Sequence, residues 1–231
     1  MNMEINESRI CIVLARSGSK RFPQKNLQKI NGETLIELAI LCSEKNNITT
    51  IVSSDSNDIL DQIKSKKAIR HKRSSLNSDD STTSEQSLIE VLKYYNISSK
   101  SEVLLIPPTN PTRTADDLAL FIDQWETIGK PNGYDQAFSV LPMQNDFWYS
   151  ENKKLRRVRD VIFQKVEPRV SFKRERIYLE TSAIYLSYAH LIYNGVSLVG
   201  SNPYPIELSK IASIDIDTVK DLDIAKRLIQ E

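Results

Sequence analysis

The sequence predicts an α/β fold with a mainly parallel sheet, and three observations predict it. Short apolar runs rich in β-branched residues alternate with segments patterned for helices. The runs are continuously apolar rather than alternating, as strands buried on both faces are. Several segments open with a hydroxyl residue followed three positions later by a side-chain acceptor, the signature of a helix start. A chain of 231 residues suits one single-core domain, with room for a small appended lobe.

The elements follow in order. Ile10–Ala15 (ICIVLA) is the first strand, and Glu33–Lys45 carries Leu35, Leu38, Ala39 and Cys42 at helical spacing. Thr49–Ser53 is a second strand, and the stretch around Ile59 and Ile63 a second helix. Val103–Ile106 is a third strand. Thr83 with Gln86, Thr114 with Asp117 and Thr218 with Asp221 start three more helices. After Thr114, the residues Leu118, Phe121, Ile122, Trp125 and Ile128 trace one stripe, whose simplest account is core packing.

From Gln144 to Arg176 the pattern breaks up and basic residues gather, Arg157, Arg159 and Arg169 among them. Two β-like pieces, Leu155–Val158 and Val161–Val166, suggest a hairpin in this excursion, expected over 144–176 as a lid or dimerisation arm. Ala183–Tyr188 returns to the sheet, and the run Ile211–Ile216 leads to the last helix.

Composition excludes several classes. With 40% hydrophobic and 26% charged residues the chain is neither a disordered tail nor a fibrous repeat. A net charge of +1 argues against a broad nucleic-acid footprint. No apolar run approaches the roughly 20 residues of a membrane span. Glu4 and Glu7 stand where a signal peptide wants basic residues, so a soluble, unprocessed protein is expected. Two cysteines, Cys11 and Cys42, are too few for a disulfide framework, and a cytoplasmic location is expected.

The chemistry begins directly after the first strand, in Leu14–Leu27 (LARSGSKRFPQKNL). A strand leading into a Gly/Ser-containing basic loop is how α/β folds build phosphate sites. Arg16, Lys20, Arg21 and Lys25 supply positive charge, and Ser17, Gly18 and Ser19 let backbone N–H groups approach an oxyanion. A polyphosphate suits such a loop, although a basic surface loop is the plain alternative. Neither the G-x-G-x-x-G nor the Walker pattern is present, which disfavours NAD binding and P-loop hydrolysis. Near the C-terminus, Asp215 and Asp217 stand at i and i+2. In an extended segment both point to one side, where they can meet one hard cation or serve the following helix as caps.

ARSGSKRFPQKN resembles the signature loop of the CMP-sialic acid synthetases, the acylneuraminate cytidylyltransferases. The stretches IVSSD (Ile51–Asp55), RSSLNSDDSTT (Arg73–Thr83), PPTNPTRT (Pro107–Thr114), AIY (Ala183–Tyr185) and SIDIDTVKDL (Ser213–Leu222) agree in order and spacing. The resemblance covers nearly the whole chain apart from the central excursion. It implies one Rossmann-like nucleotidyltransferase domain over 1–231, a homodimer with a swapped central arm, and a reaction joining CTP to a 2-keto-3-deoxy sugar acid with release of pyrophosphate. By similarity Arg16, Ser19, Lys20 and Lys25 would hold the triphosphate and Asn26 the nucleoside end. Arg73 and Thr83 would line the cytosine pocket, although a helix cap alone also explains Thr83. Asp215 and Asp217 would hold Mg²⁺, and Arg16 and Lys25 would share the catalytic work with them.

Departures fall on the acceptor side. Pro107 stands where the family often has Gln, and proline offers no side-chain hydrogen bond. Thr181-Ser182 replaces the usual Asn-Gly, next to Glu180. Tyr185 keeps its place as an apolar wall for the sugar, Leu198 and Val199 fall near the acyl side, and Arg169 is a candidate for the sugar carboxylate. His71 and His190 match no motif and are expected to be structural or exposed. The leading expectation is a cytidylyltransferase for a nonulosonic acid. Alternatives are a Kdo-type enzyme, disfavoured because Lys25-Asn26 replaces its usual Lys-Pro, an enzyme for a non-sugar acid or phosphonate, and a non-catalytic nucleotide-binding relative.

Overall fold

A computed structural model of the chain describes residues 5–18, 21–74, 82–166 and 175–230. Strand β1 (Arg9–Leu14) is flanked in the main sheet by β4 (Thr49–Ser54) and then β5 (Ile69–Lys72) on one side, and by β6 (Glu102–Leu105) on the other. These four are parallel, with Ile12 opposite Ile51 and Leu105, and Ser53 opposite His71. Beyond β6 lies β10 (Ile177–Tyr188), antiparallel to it, and then β7 (Gln136–Met143) and β11 (Pro203–Glu207), parallel to each other. A small hairpin of β2 (Lys29–Ile30) and β3 (Glu33–Thr34) stands apart. The chain builds outward from β1 to β5, then returns to β6 on the opposite side of β1. That reversal is a topological switch point, where α/β sheets open a crevice at the carboxyl ends of the strands.

The helices are α1 (Leu35–Glu44), α2 (Asn57–Asp61), α3 (Ser84–Tyr94), α4 (Ala115–Gln124), α5 (Val158–Ile162), α6 (Ala189–Tyr193) and α7 (Val219–Gln230). All three expected caps form. Thr83 and Gln86 make a full capping box at α3, as do Thr114 and Asp117 at α4. At α7 the Thr218 N–H and hydroxyl both donate to Asp221. Thr34 caps α1 in the same way, accepting from the Glu37 N–H at 3.2 Å. Each such cap is worth about 1 kcal/mol.

Strand β1 is buried on both faces, and its side chains part by alternation. Cys11 and Val13 join the core that contains Ile36, Ile40, Leu118 and Phe121 of α1 and α4. Ile10 and Ile12 join the core that contains Leu88, Val91 and Leu92 of α3. The stripe of α4 is core as expected for Leu118, Phe121 and Trp125, but Ile128 is exposed because the chain widens into a π turn over Trp125–Gly129. No disulfide joins Cys11 and Cys42, and both are buried. Among the described residues no helix is long and apolar enough to cross a membrane.

Several elements correct the sequence reading. Strands β5, β7 and β11 were not expected: β5 (IRHK) is short and polar, and β11 (PYPIE) holds two prolines, which an edge strand tolerates. The run Ile211–Ile216 is turn and unpaired extended chain, tied by the Ile216 N–H to the Thr109 carbonyl at 2.8 Å.

Residues 141–179 form a second compact unit. Its hairpin pairs β8 (Trp148–Glu151) with β9 (Lys154–Arg157), one piece earlier than the sequence suggests. Asn152 and Lys153 both adopt left-handed backbone (φ 50° and 62°), the two-residue turn that matches strand twist. What read as the second strand begins instead as the short helix α5. Arg157 and Arg159, two of the basic residues that gather in this stretch, are buried. Arg157 pairs with Asp146 at 2.9 Å, and Arg159 donates to the carbonyls of Met143 and Glu175. The expected Arg169 lies outside the described residues.

Candidate active site

The switch point between β1 and β6 opens into a cleft of about 470 Å³. It is lined by Leu14, Arg16, Lys25 and Asn26 after β1, by Arg73 after β5, by Thr83 and its neighbours at the start of α3, and by Pro107–Thr109 after β6. Three of the sequence motifs thus line one cleft because parallel strands release their loops at one edge of the sheet.

The loop after β1 is held from two sides. The Asn26 amide donates to the Arg16 carbonyl at 2.9 Å, closing the loop on itself. The Ser17 N–H and hydroxyl both donate to the Asp55 carboxylate, at 2.8 and 2.7 Å. Burial alone would raise the pKa of Asp55, but the two Ser17 bonds, a bond from its own backbone N–H and the charge of Arg73 together outweigh it and hold the carboxyl below the usual aspartate range. Asp55 is therefore the anionic anchor of a cationic loop, a role the motif IVSSD did not disclose. Arg16 is exposed and Lys25 half-buried, so both charged ends reach the cleft. Ser19 and Lys20 lie outside the described residues.

Arg73 is buried at 7% exposure, and its guanidinium donates to the Ser53 carbonyl at 3.0 Å and to the Ser53 hydroxyl at 3.3 Å. The same hydroxyl meets His71 Nδ1 at 3.0 Å. Burial holds the His71 pKa below the usual histidine value, so the ring is neutral near pH 7 and belongs to the packing under the cleft. His190 is exposed in α6, just beyond β10. Neither histidine lines the cleft. The rest of the RSSLNSDDSTT motif, residues 75–81, is outside the described residues.

Asp215 and Asp217 flank the fully buried Ile216, so in extended chain they share the opposite side. Asp217 Oδ1 lies 3.2 Å from Lys25 Nζ, and its Oδ2 lies 3.4 Å from Arg21. The acidic pair and the phosphate-type loop, 192 residues apart, thus adjoin. No third His, Cys, Asp or Glu joins them among the described residues. Two hard carboxylates with space for phosphate and water oxygens form a donor set that fits Mg²⁺, which keeps much of its shell for such ligands.

The acceptor-side residues separate. Pro107 lines the cleft. Thr181 does not: it is buried, and its hydroxyl donates to the Ser139 carbonyl and hydroxyl at 3.1 and 2.8 Å. The Tyr185 hydroxyl donates to Glu180 and, at 3.1 Å, to Ser182. Burial and the Glu180 carboxylate both push its pKa up, and the charge on Asp215 adds to the effect. Leu198 packs into the core with Leu88 rather than facing the cleft, because an apolar side chain at 6% exposure gains more from that contact.

Comparison with known proteins agrees with this geometry. The chain is 26% identical over 234 residues to the CMP-N,N'-diacetyllegionaminic acid synthase of Legionella pneumophila, covering 96% of each. It is 27% identical to N-acylneuraminate cytidylyltransferase A of Danio rerio, over 94% of this chain and 50% of that protein. The fold matches the crystal structure of a 4-diphosphocytidyl-2C-methyl-D-erythritol synthase with a TM-score of 0.70 and 12% identity, covering 98% of this chain and 100% of the other. The model of the cytidylyltransferase family matches residues 10–231, and the chain belongs to that family.

Proposed function

We propose that the protein transfers CMP from CTP to the anomeric hydroxyl of a nonulosonic acid, giving a CMP-sugar and pyrophosphate, and that it works as a homodimer. The observation that carries the reading is the meeting of Asp217 with Lys25, which lines the cleft together with Arg16, Asn26 and Arg73. The acceptor class follows from relatives that make CMP-activated legionaminic and neuraminic acids.

Arg16 and Lys25 bind the triphosphate, with Ser19 and Lys20 assigned the same task from the motif. Arg73, fixed on Ser53, and Thr83 at the α3 terminus bound the cytosine end. The side chains of Asp215 and Asp217 would hold Mg²⁺ against the phosphates. The ion supplies charge neutralisation on the triphosphate and on leaving pyrophosphate. Pro107, Thr181 and Tyr185 shape the acceptor side, Thr181 from behind, and Arg169 is assigned the acceptor carboxylate. In-line attack forms the bond from the anomeric oxygen to the α-phosphorus and breaks the α–β anhydride. The hydroxyl proton passes to solvent, since neither histidine faces the cleft. Catalysis is then positioning and charge stabilisation.

Incubation with CTP, Mg²⁺ and a panel of keto-sugar acids, with Kdo and a phosphonate as controls, tests the reading. Release of pyrophosphate with a nonulosonic acid is expected, at least about tenfold faster with CTP than with UTP. Equal rates with UTP would remove the cytosine assignment, and no turnover with any acid of the panel would remove the reaction.

A further inference from the structure

Asn110 lies in the loop after β6, fully buried, and its amide nitrogen serves two segments of the site. Nδ2 donates to the Ile214 carbonyl at 3.2 Å and to the Thr181 carbonyl at 3.3 Å. Ile214 directly precedes Asp215, and Thr181 directly precedes Ser182, three residues before Tyr185. The Asn110 oxygen is buried without a hydrogen-bond partner. An unpartnered buried acceptor is costly, so an apolar side chain would suit this position better if packing were its only task. The two donated bonds are what the amide contributes.

The second segment is itself unusual. Ser182 has φ 55°, a left-handed conformation that a side chain with Cβ disfavours. It persists because its surroundings over-determine it. From the loop after β6, Asn110 takes the carbonyl before Ser182, and Arg113 Nη1 takes the carbonyl after it, that of Ala183, at 2.7 Å. From β7, the Ser139 hydroxyl accepts the N–H groups of Ala183 and Ile184 at 3.1 and 2.9 Å. The bend aims Tyr185, whose hydroxyl is held by Glu180 and Ser182.

We propose that Asn110 is a positioning residue that sets the spacing between the acidic pair, Asp215 and Asp217, and the acceptor-side bend at Thr181–Ala183. It acts through backbone carbonyls on both sides and touches neither substrate. The proposal rests on the cytidylyltransferase reading above, in which those two segments must present a metal–triphosphate and an acceptor in register. Such registration matters because a misplacement of about 1 Å can cost about a hundredfold in rate.

The test is calorimetric titration of the full chain with CTP, with and without Mg²⁺, followed by steady-state kinetics. In Asn110→Ala, CTP affinity without Mg²⁺ should stay within about threefold of wild type, while the gain in affinity on adding Mg²⁺ shrinks about tenfold or more, as for residues that orient metal ligands. The acceptor KM should rise by about tenfold as well, since the bend is loosened at the same time. Thr112→Val is the control: it removes another bond from the same loop, to the Ile211 carbonyl, that reaches neither Asp215 nor the bend. It should leave the Mg²⁺ gain and the acceptor KM unchanged. A folded Asn110→Ala with wild-type Mg²⁺ gain and KM overturns the proposal, as does an equal loss in Thr112→Val. If the alanine variant does not fold, Asn110→Ser, which keeps one donor, is measured instead. Failure of both to fold would make Asn110 a core fastener and overturn the proposal. A wild-type chain whose CTP binding ignores Mg²⁺ fails the functional reading itself, and the wild-type titration alone separates that case.

Discussion

Asp217 pairs with Lys25 and Arg21 while remaining 47% exposed, and Arg21 is 80% exposed. Ion pairs in that much solvent contribute ~0–1 kcal/mol, so this carboxylate does little for the fold. It is available to act on charge at the cleft. Asp217→Asn keeps the size and loses the charge, and kcat should fall about a hundredfold or more, about 2.7 kcal/mol of transition-state stabilisation. The melting temperature should hold within a degree or two, because Thr218 and Asp221 still cap α7. Excess Mn²⁺ should restore part of the rate. Near-normal turnover combined with a loss of several degrees would make the pair structural. At this scale the acidic pair, the basic loop and the three threonine caps were legible, because each is a local pattern of residue types. Asn110 and Arg113 were not, since a buried side chain that bonds to distant carbonyls has no spacing rule.

Glu102 shows what an element's end can demand. It opens β6 at 5% exposure and receives hydrogen bonds from the Trp125 indole and Lys130, both at 3.0 Å, together with Arg9. Burial alone would raise its pKa, but the Trp125 and Lys130 bonds and the Arg9 charge outweigh it, and the folded value lies below the ordinary 4.5. The folded pKa being the lower one, the carboxylate adds stability above the unfolded value. That stability is lost as pH falls through the folded value. Glu102→Gln should therefore lower stability by about 2 kcal/mol at pH 7 and flatten the fall that sets in as pH drops below the ordinary carboxyl value of 4.5. Melting temperatures across that fall check it, and parallel slopes for the two proteins would dismiss Glu102 as the source. The sequence placed this strand from its apolar run, but took the adjoining stripe through Ile128. Only the cluster around Glu102 and the π turn at Trp125 decide which residues of that stripe are inside.

Across the whole molecule, the unit of residues 141–179 carries an apolar surface unusual for so small a piece. Trp148 is 53% exposed, Leu155 72%, Ile162 57% and Val166 85%. Exposed apolar surface of this kind marks an interaction site, and the proposed homodimer assigns it to a second copy. Sedimentation at about 10 µM should give a dimer, and Leu155→Glu with Ile162→Glu should weaken it about a hundredfold or more. A monomeric wild-type protein with full activity would refute the assignment. The sequence by itself determined the α/β class, the parallel strands around β1 and the chemical types gathered at their ends, because continuous apolar runs and capping pairs act over a few neighbouring residues. The order of the outer strands, the place of the hairpin turn and the pairing of Lys25 with Asp217 were decided only in the tertiary structure. Those features depend on which distant segments the sheet brings side by side, and prolines or short polar strands conceal such partners from any local pattern.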